Sequence, residues 1–216
     1  MTEENSHDMI AAFERFGTPT ICEAMGRRGH MDSEIRSVWK GARTAGPALT
    51  VQCHVGDNLT IHKAIAIARE GDVLVVNAGR YRNCGLWGEI MSLAAQKKGV
   101  RGLVVSGAVR DVQAVERMRF PVFSMGLNPY GSTKNSLGPI NQPIVCGEVL
   151  VNPRDIIVGD DDGVVVVPKH LARDVLMKCQ EREKKEERVR ELIEQGKTTL
   201  EIYGLDKVIE SISRGQ

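Results

Sequence analysis

Two polar clusters carry the side chains of this sequence that could do chemistry together. Glu89 stands in the segment Gly88–Met91, and Arg110 and Asp111 close the segment Ser106–Asp111, with twenty residues between Glu89 and Arg110. A guanidinium, two carboxylates and the unpaired amides of a helix start can hold an anionic ligand beside a divalent cation. The clusters therefore predict an anion and metal site, provided that the fold brings them together.

The strands and helices predicted around the two clusters indicate that the fold brings them together. An apolar strand at 71–78 leads into a helix at 88–98, and a strand at 102–108 leads into a helix that begins near Asp111. Strands joined by a helix are normally parallel neighbours, so their carboxyl ends open on one sheet edge. The alternative is structural: a helix cap with a surface ion pair, and a favourable first-turn charge at Glu89.

The remaining patterns predict an α/β protein with a parallel core. The other predicted elements are helices at 8–16, from Thr18 and at 59–69, and strands at 47–53 and 121–125. After about residue 126 a turn-rich segment is predicted to be a loop that folds over something. Two later strand-like runs, 143–151 and 155–168, are expected to form an antiparallel layer packed on the first sheet.

From Pro168 onwards the pattern is helical. We expect an α/β catalytic domain over 1–170 and a C-terminal helical arm over 171–216, as part of the same domain and of an oligomer interface. The dense charge run within the arm is typical of a solvated helix face. Its length and weak apolar stripe also fit an arm that reaches a neighbouring subunit.

Composition excludes several classes of protein. The 29 basic and 28 acidic side chains give a net charge of +1, so a nucleic-acid partner is not expected. No apolar run reaches the length of a membrane span, and the polar N-terminal residues do not resemble a signal peptide. Five scattered cysteines without a CxxC pair disfavour a zinc site or a disulfide framework. These observations predict a cytoplasmic protein without a membrane partner.

Other polar motifs have structural interpretations. His62 is predicted to pack within its helix, and the Gly56–Asn58 segment to cap that helix. The acidic Asp160–Gly163 run is predicted to be a hairpin turn rather than a cation loop. Glycine-rich dinucleotide and P-loop fingerprints are absent.

The sequence resembles the metal-dependent aldolases of 4-hydroxy-4-methyl-2-oxoglutarate and 4-carboxy-4-hydroxy-2-oxoadipate, a family shared with the regulator of ribonuclease activity A. The likeness covers most of the chain, and its most specific element is the acidic residue followed after twenty positions by Arg-Asp. It implies a layered swivelling β/β/α-type sandwich with a C-terminal helical arm, assembled as a homotrimer or a hexamer made of two trimers.

The resemblance also implies roles for individual residues. Asp111 would bind Mg²⁺ or Mn²⁺ directly or through water, and Arg110 would bind the 2-oxo acid substrate. The backbone amides of Gly88, Glu89, Ile90 and Met91 would bind the substrate carboxylate. A glutamate of a neighbouring subunit's arm, Glu186 or Glu187, would complete the site. In other members Asp is common in place of Glu89.

The resemblance implies a pyruvate aldolase that also decarboxylates oxaloacetate, since both reactions give a pyruvate enolate, and these residue types suit that chemistry. Arg110 and the cation would stabilise the enolate, and a water held by Glu89 or the cation would move the proton. Neither cluster contains a lysine, which argues against a Schiff-base aldolase. The alternative is a non-catalytic trimeric regulator that binds an RNA-processing enzyme, and the complete Glu89/Arg110/Asp111 set disfavours it. A quinone methyltransferase is discounted because no glycine-rich nucleotide loop follows the first strand.

Overall fold

The computed structural model describes residues 3–213 of the chain. Two compact units make up the chain, Met1–Leu176 and Met177–Gln216. The sheet and the cleft described below belong to the first unit. No helix among residues 3–213 is both long and apolar enough to cross a membrane.

The helices are α1 (Glu3–Glu14), α2 (Thr18–Ala24), α3 (Leu59–Ile67), α4 (Glu89–Lys97), α5 (Val112–Arg117), α6 (Ala172–Glu194), α7 (Thr199–Tyr203) and α8 (Asp206–Ser213). The strands are β1 (Arg36–Ser37), β2 (Thr44–Gln52), β3 (Val73–Asn77), β4 (Gly102–Val109), β5 (Val122–Leu127), β6 (Ile144–Cys146), β7 (Val149–Val151), β8 (Ile156–Asp160) and β9 (Gly163–Val167). The predicted alternation of strands and helices through residue 127 is confirmed.

Seven strands form one sheet, in the order β1-β5-β4-β3-β2-β8-β9. As predicted, β2, β3, β4 and β5 are parallel neighbours in sequence order. Every residue of β4 is buried, which explains its unbroken run of small and apolar residues, because a strand covered on both faces needs no polar alternation. The helices α3, α4 and α5 follow these strands and pack next to one another.

The expected separate antiparallel layer is only partly present. The β6–β7 hairpin forms its own two-stranded sheet and contacts β3 and β2. The β8–β9 hairpin instead extends the main sheet, because β8 pairs antiparallel with β2 from Thr44 to Pro47. On its other edge β2 pairs with β3 through Ala48–Gln52. The two halves of one long strand thus serve different neighbours, and its local sequence pattern does not reveal this.

The acidic run between β8 and β9 is a hairpin turn, as predicted. The Asp160 carboxylate accepts hydrogen bonds from the backbone N–H of Thr18 at 2.8 Å and from its hydroxyl at 2.6 Å. Asp161 accepts from the Gly41 N–H at 2.8 Å. Both carboxylates therefore tie the turn to the N-terminal part of the unit.

Candidate functional site

A cleft of about 260 Å³ opens where β4 ends. Its walls come from the start of α3, the segment that leads into α4, the β4–α5 junction and the loop after β5. The lining residues are Asn58, His62, Gly85, Leu86, Trp87, Gly88, Ile90, Met91, Arg110, Asp111, Gly131, Ser132 and Lys134. Residues from two polar clusters that are distant in sequence thus share one cleft, and the turn-rich loop contributes one of its walls.

The segment before α4 is held against the end of β4 by backbone hydrogen bonds. The Leu86 N–H donates to the Ala108 carbonyl at 2.9 Å, and the Arg110 N–H donates to the Trp87 carbonyl at 2.8 Å. Trp87 is buried, and its indole Nε1 donates to the Ser92 hydroxyl at 2.6 Å. These contacts fix the start of α4 beside Arg110.

Asp111 links the two clusters through its carboxylate. Its Oδ2 accepts a hydrogen bond from the Glu89 N–H at 3.1 Å and lies 3.6 Å from the Arg110 Nε. Asp111 occupies the N-cap position of α5, yet its side chain makes no capping hydrogen bond to that helix. The alternative in which this residue caps its own helix is therefore wrong, because the carboxylate binds the first amide of α4.

The backbone at Asp111 is in the left-handed region, with φ 59° and ψ 35°. Asp is one of the residue types that adopt this region most readily, and six other non-glycine residues of the described chain also have a positive φ. Gly88 allows the close approach: an added Cβ would collide with the Asp111 Oδ2 and lie 3.1 Å from the Arg110 Cγ. Any side chain at position 88 would displace both charged groups.

The predicted anion-binding amides lie at the start of α4, but one of them is already used. The Glu89 N–H is bound to Asp111, which leaves those of Ile90 and Met91 in a first turn, where amides have no intrahelical acceptor. Gly88, Ile90 and Met91 line the cleft, whereas the Glu89 side chain is exposed and does not. The geometry therefore offers amides and a guanidinium to an anion.

The donor set fits a hard divalent cation that keeps most of its water ligands. Within residues 3–213 no group of three or more His, Cys, Asp or Glu side chains is placed to hold a metal. The cleft contributes one carboxylate, Asp111, and in the described part of the chain no hydrogen bond or ion pair uses its Oδ1. Mg²⁺ is commonly held by one or two carboxylates together with water and substrate oxygens.

Four polar residues of the cleft were not predicted as site residues from the sequence: Asn58, His62, Ser132 and Lys134. Asn58 is buried and donates from Nδ2 to the Leu86 carbonyl at 2.8 Å. The buried Asn58 Oδ1 and His62 Nε2 have no hydrogen-bond partner among the described residues. Asn58 and His62 are four residues apart, and this spacing on α3 was the signal that could have found them.

His62 was expected to pack within its helix, and it is only half-buried at the cleft. Burial lowers the pKa of His62, and the ammonium of Lys134 lowers it further. The argument against a Schiff-base aldolase, which relied on the absence of lysine from the two sequence clusters, is therefore weakened by Lys134. The loop after β5 brings this lysine to the cleft from a distant part of the chain.

Comparison with known proteins decides the family. The family model described as RraA-like, Aldolase/RraA, matches residues 18–166. The chain belongs to the RraA-like family. A relative from Halalkalibacterium halodurans named "Putative 4-hydroxy-4-methyl-2-oxoglutarate aldolase" is 36% identical over 202 residues, which is 94% of this chain and 96% of the relative.

Solved structures of similar chains have the same mixed α/β fold. A crystal structure of a Pseudomonas syringae protein has a TM-score of 0.79 and 31% identity, covering 89% of this chain and 94% of that one. Streptomyces coelicolor RraAS2, described as an unusual member of the RNase ES inhibitor RraA family, has a TM-score of 0.77 and 28% identity. That match covers 85% of this chain and 96% of RraAS2. The RraA-like family therefore accounts for the architecture predicted from the sequence.

The two glutamates predicted to complete the site lie on α6, in the second unit. Glu186 forms an ion pair with Arg182, with 2.9 Å between Oε1 and Nη2, whereas Glu187 is exposed. The expectation that one of them enters the cleft of a neighbouring subunit stays a prediction.

Proposed function

We propose that this RraA-like protein is a divalent-metal-dependent pyruvate aldolase. Its substrate would be a 4-hydroxy-2-oxo di- or tricarboxylic acid such as 4-hydroxy-4-methyl-2-oxoglutarate or 4-carboxy-4-hydroxy-2-oxoadipate. The observation that carries the proposal is the Asp111 carboxylate held beside the Arg110 guanidinium at the start of α4, within the cleft. The aldolase name of the Halalkalibacterium relative supports it.

Asp111 would hold Mg²⁺ or Mn²⁺, which when bound supplies Lewis-acid polarisation of the 2-oxo acid oxygens. The amides of Ile90 and Met91 would bind the carboxylate next to the keto group, because a helix start attracts anions. Arg110 would face the keto oxygen. Lys134 provides a second positive charge in the cleft, suited to another carboxylate of the substrate.

Aldol cleavage breaks the bond between C3 and C4 and leaves its electron pair on a pyruvate enolate. Arg110 would stabilise the negative charge that develops on the enolate oxygen. A water in the cleft would accept the proton of the C4 hydroxyl and return a proton to C3. The Glu89 side chain lies outside the cleft lining, so it would act on that water only through a further water. Oxaloacetate decarboxylation leaves the same enolate, so the same residues would support both reactions.

A second candidate is a non-catalytic regulator of RNA processing. The similarity to Streptomyces coelicolor RraAS2, described as belonging to an RNase inhibitor family, favours it. A protein that acts only by binding another protein has no need of a carboxylate and a guanidinium held at a helix start within a cleft. The cleft therefore favours the aldolase.

We expect metal-dependent pyruvate release from 4-hydroxy-4-methyl-2-oxoglutarate and oxaloacetate, measured by coupling to lactate dehydrogenase. EDTA should abolish release from both substrates, and Mg²⁺ or Mn²⁺ should restore it. Because Lys134 lines the cleft, borohydride treatment with pyruvate tests the Schiff-base alternative, and we expect no trapped adduct. Turnover that persists in EDTA, or an adduct on Lys134, would contradict the metal mechanism.

The arm gives a separate prediction about assembly. The 23 residues of α6 extend about 35 Å at 1.5 Å per residue. In the second unit several apolar side chains are exposed, namely Leu200, Tyr203, Leu205, Val208, Ile209 and Ile212. A closed homotrimer, alone or doubled into a hexamer, would cover every arm by the same head-to-tail contact. Deleting residues from 181 onward should abolish both trimerisation and activity, as measured by light scattering and pyruvate release.

The glutamate variants identify the residue that completes the site. Glu186→Gln and Glu187→Gln should differ, with turnover lowered only for the residue that enters the neighbour's cleft, while both variants remain trimeric. A monomeric truncation with full activity would exclude the arm from the active site.

A further inference from the structure

The loop after β5, residues 128–143, forms one wall of the cleft through Gly131, Ser132 and Lys134. A carboxylate outside the cleft lining fastens this loop. Asp57 is only 3% exposed, and its Oδ2 accepts hydrogen bonds from the Thr133 hydroxyl at 2.8 Å and from the Asn135 N–H at 2.5 Å.

The same carboxylate also holds the beginning of α3. The Asp57 Oδ1 accepts from the Leu59 N–H at 2.9 Å, as in an Asx turn. Two backbone hydrogen bonds reinforce the junction, from the Thr133 N–H to the Gly56 carbonyl at 2.9 Å and from the Asn58 N–H to the Thr133 carbonyl at 3.0 Å. One buried side chain thus connects the loop of Lys134 with the helix of Asn58 and His62.

The contacts of Asp57 require an ionised carboxylate. Burial alone would raise the pKa of Asp57, but hydrogen bonds from Asn135, Leu59, Thr133 and Ser136 outweigh it, and the pKa lies below its usual value. Every partner is a donor, so an amide at position 57 would turn an NH₂ group toward other donors. In a buried position such a mismatch weakens the attachment of the loop.

We propose that Asp57 is a positioning residue for the proposed reaction, holding the wall that carries Lys134 at its working distance from the wall that carries Asn58 and His62. The proposal rests on the proposed function for its kinetic consequence. Its structural consequence, the anchoring of the loop, can be measured without any substrate.

The substrate-free experiment compares wild type with Asp57→Asn. Hydrogen exchange should accelerate at the Asn135 amide, which donates to Asp57, and at the Gly138 amide of the same loop, which donates to the Thr60 hydroxyl of α3 at 2.9 Å. In an NMR titration the pKa of His62 should rise toward its ordinary value, because Lys134 moves away while burial of the imidazole continues to lower it. Lys134→Met should cause a similar rise. If Asp57→Asn folds poorly, Thr133→Val replaces it in this experiment. It removes a single hydrogen bond to the same carboxylate, so the same changes in exchange and in the pKa of His62 should appear, but smaller.

Asp155→Asn is the matched control. Asp155 is equally buried, at 4% exposed, and accepts from the Asn152 N–H at 2.9 Å and the Lys169 N–H at 3.0 Å, but does not line the cleft. It should leave the exchange of Asn135 and the pKa of His62 unchanged. Equal effects of the two substitutions would mean general destabilisation and would overturn the proposal, as would unchanged exchange in Asp57→Asn.

The kinetic experiment measures the cleavage of 4-hydroxy-4-methyl-2-oxoglutarate. Asp57→Asn should raise KM about tenfold, which corresponds to about 1.4 kcal/mol, with a smaller change in kcat. Combined with Lys134→Met, it should add little further, because both substitutions remove the same contact. Fully additive effects would overturn the positioning role. If wild type cleaves no 2-oxo acid, the proposed function fails, while exchange and the His62 titration still decide whether Asp57 holds the wall.

Discussion

Asp111→Asn is expected to lower kcat/KM for both aldol cleavage and oxaloacetate decarboxylation by about 10³-fold or more, since Lewis-acid stabilisation is worth several kcal/mol. The two activities should fall together because both depend on the same cation. Asn keeps an oxygen that can accept from the Glu89 N–H, and it tolerates the left-handed backbone at φ 59°. The variant therefore removes the charge while keeping the fold.

Asp111→Ala should lose the same activities, with a further loss of about 0.5–2 kcal/mol of stability from the missing cap of α4. Calorimetric titration with Mn²⁺ and urea unfolding separate the two effects. Asp161→Asn is the control, because Asp161 also accepts from a backbone amide, that of Gly41, and lies outside the cleft lining. Near-full turnover of Asp111→Asn in excess Mg²⁺ would show that the metal assignment is wrong.

The sequence could predict those residues of the site that lie where a strand of the parallel core meets the next helix. Arg110 and Asp111 follow β4 directly, and Glu89 begins α4, so the handedness of β–α–β connections was enough to bring them together. The sequence also predicted the helix start that faces them. It did not predict that the Asp111 carboxylate would bind the neighbouring helix rather than its own, because this depends on a left-handed backbone at a non-glycine residue.

The opposite wall of the cleft could not be predicted because long-range contacts build it. Lys134 lies on the loop after β5, which is held by the Asp57 carboxylate and by backbone hydrogen bonds with Gly56 and Asn58, more than seventy residues earlier in the chain. The position of β8 has a similar origin, since it pairs with the first half of β2 on the edge opposite β3. Periodicity and turn signals describe single elements, whereas these contacts depend on which edges and donors remain after the parallel core has formed.

Arg110→Lys is expected to lower kcat by about 10²–10³-fold, the usual effect of losing one donor that stabilises a developing oxyanion. The positive charge remains, but the planar fork is lost, and an ammonium cannot donate to an enolate oxygen and hold its orientation beside Asp111 in the same way. Two glycines leave room for the Arg110 side chain: a Cβ at Gly85 would lie 3.0 Å from the Arg110 Cβ, and one at Gly131 would lie 3.5 Å from its Nη1.

Steady-state kinetics on 4-hydroxy-4-methyl-2-oxoglutarate and oxaloacetate decide whether Arg110 acts on the enolate or only on the bound substrate. A fall in kcat for both substrates means that the guanidinium interacts more strongly with the transition state than with the ground state. Arg82→Lys is the control, because Arg82 is an exposed arginine paired with Glu34 outside the cleft lining, and its replacement should leave both constants unchanged. A rise in KM with unchanged kcat for Arg110→Lys would reduce its role to uniform binding and remove it from the chemical step.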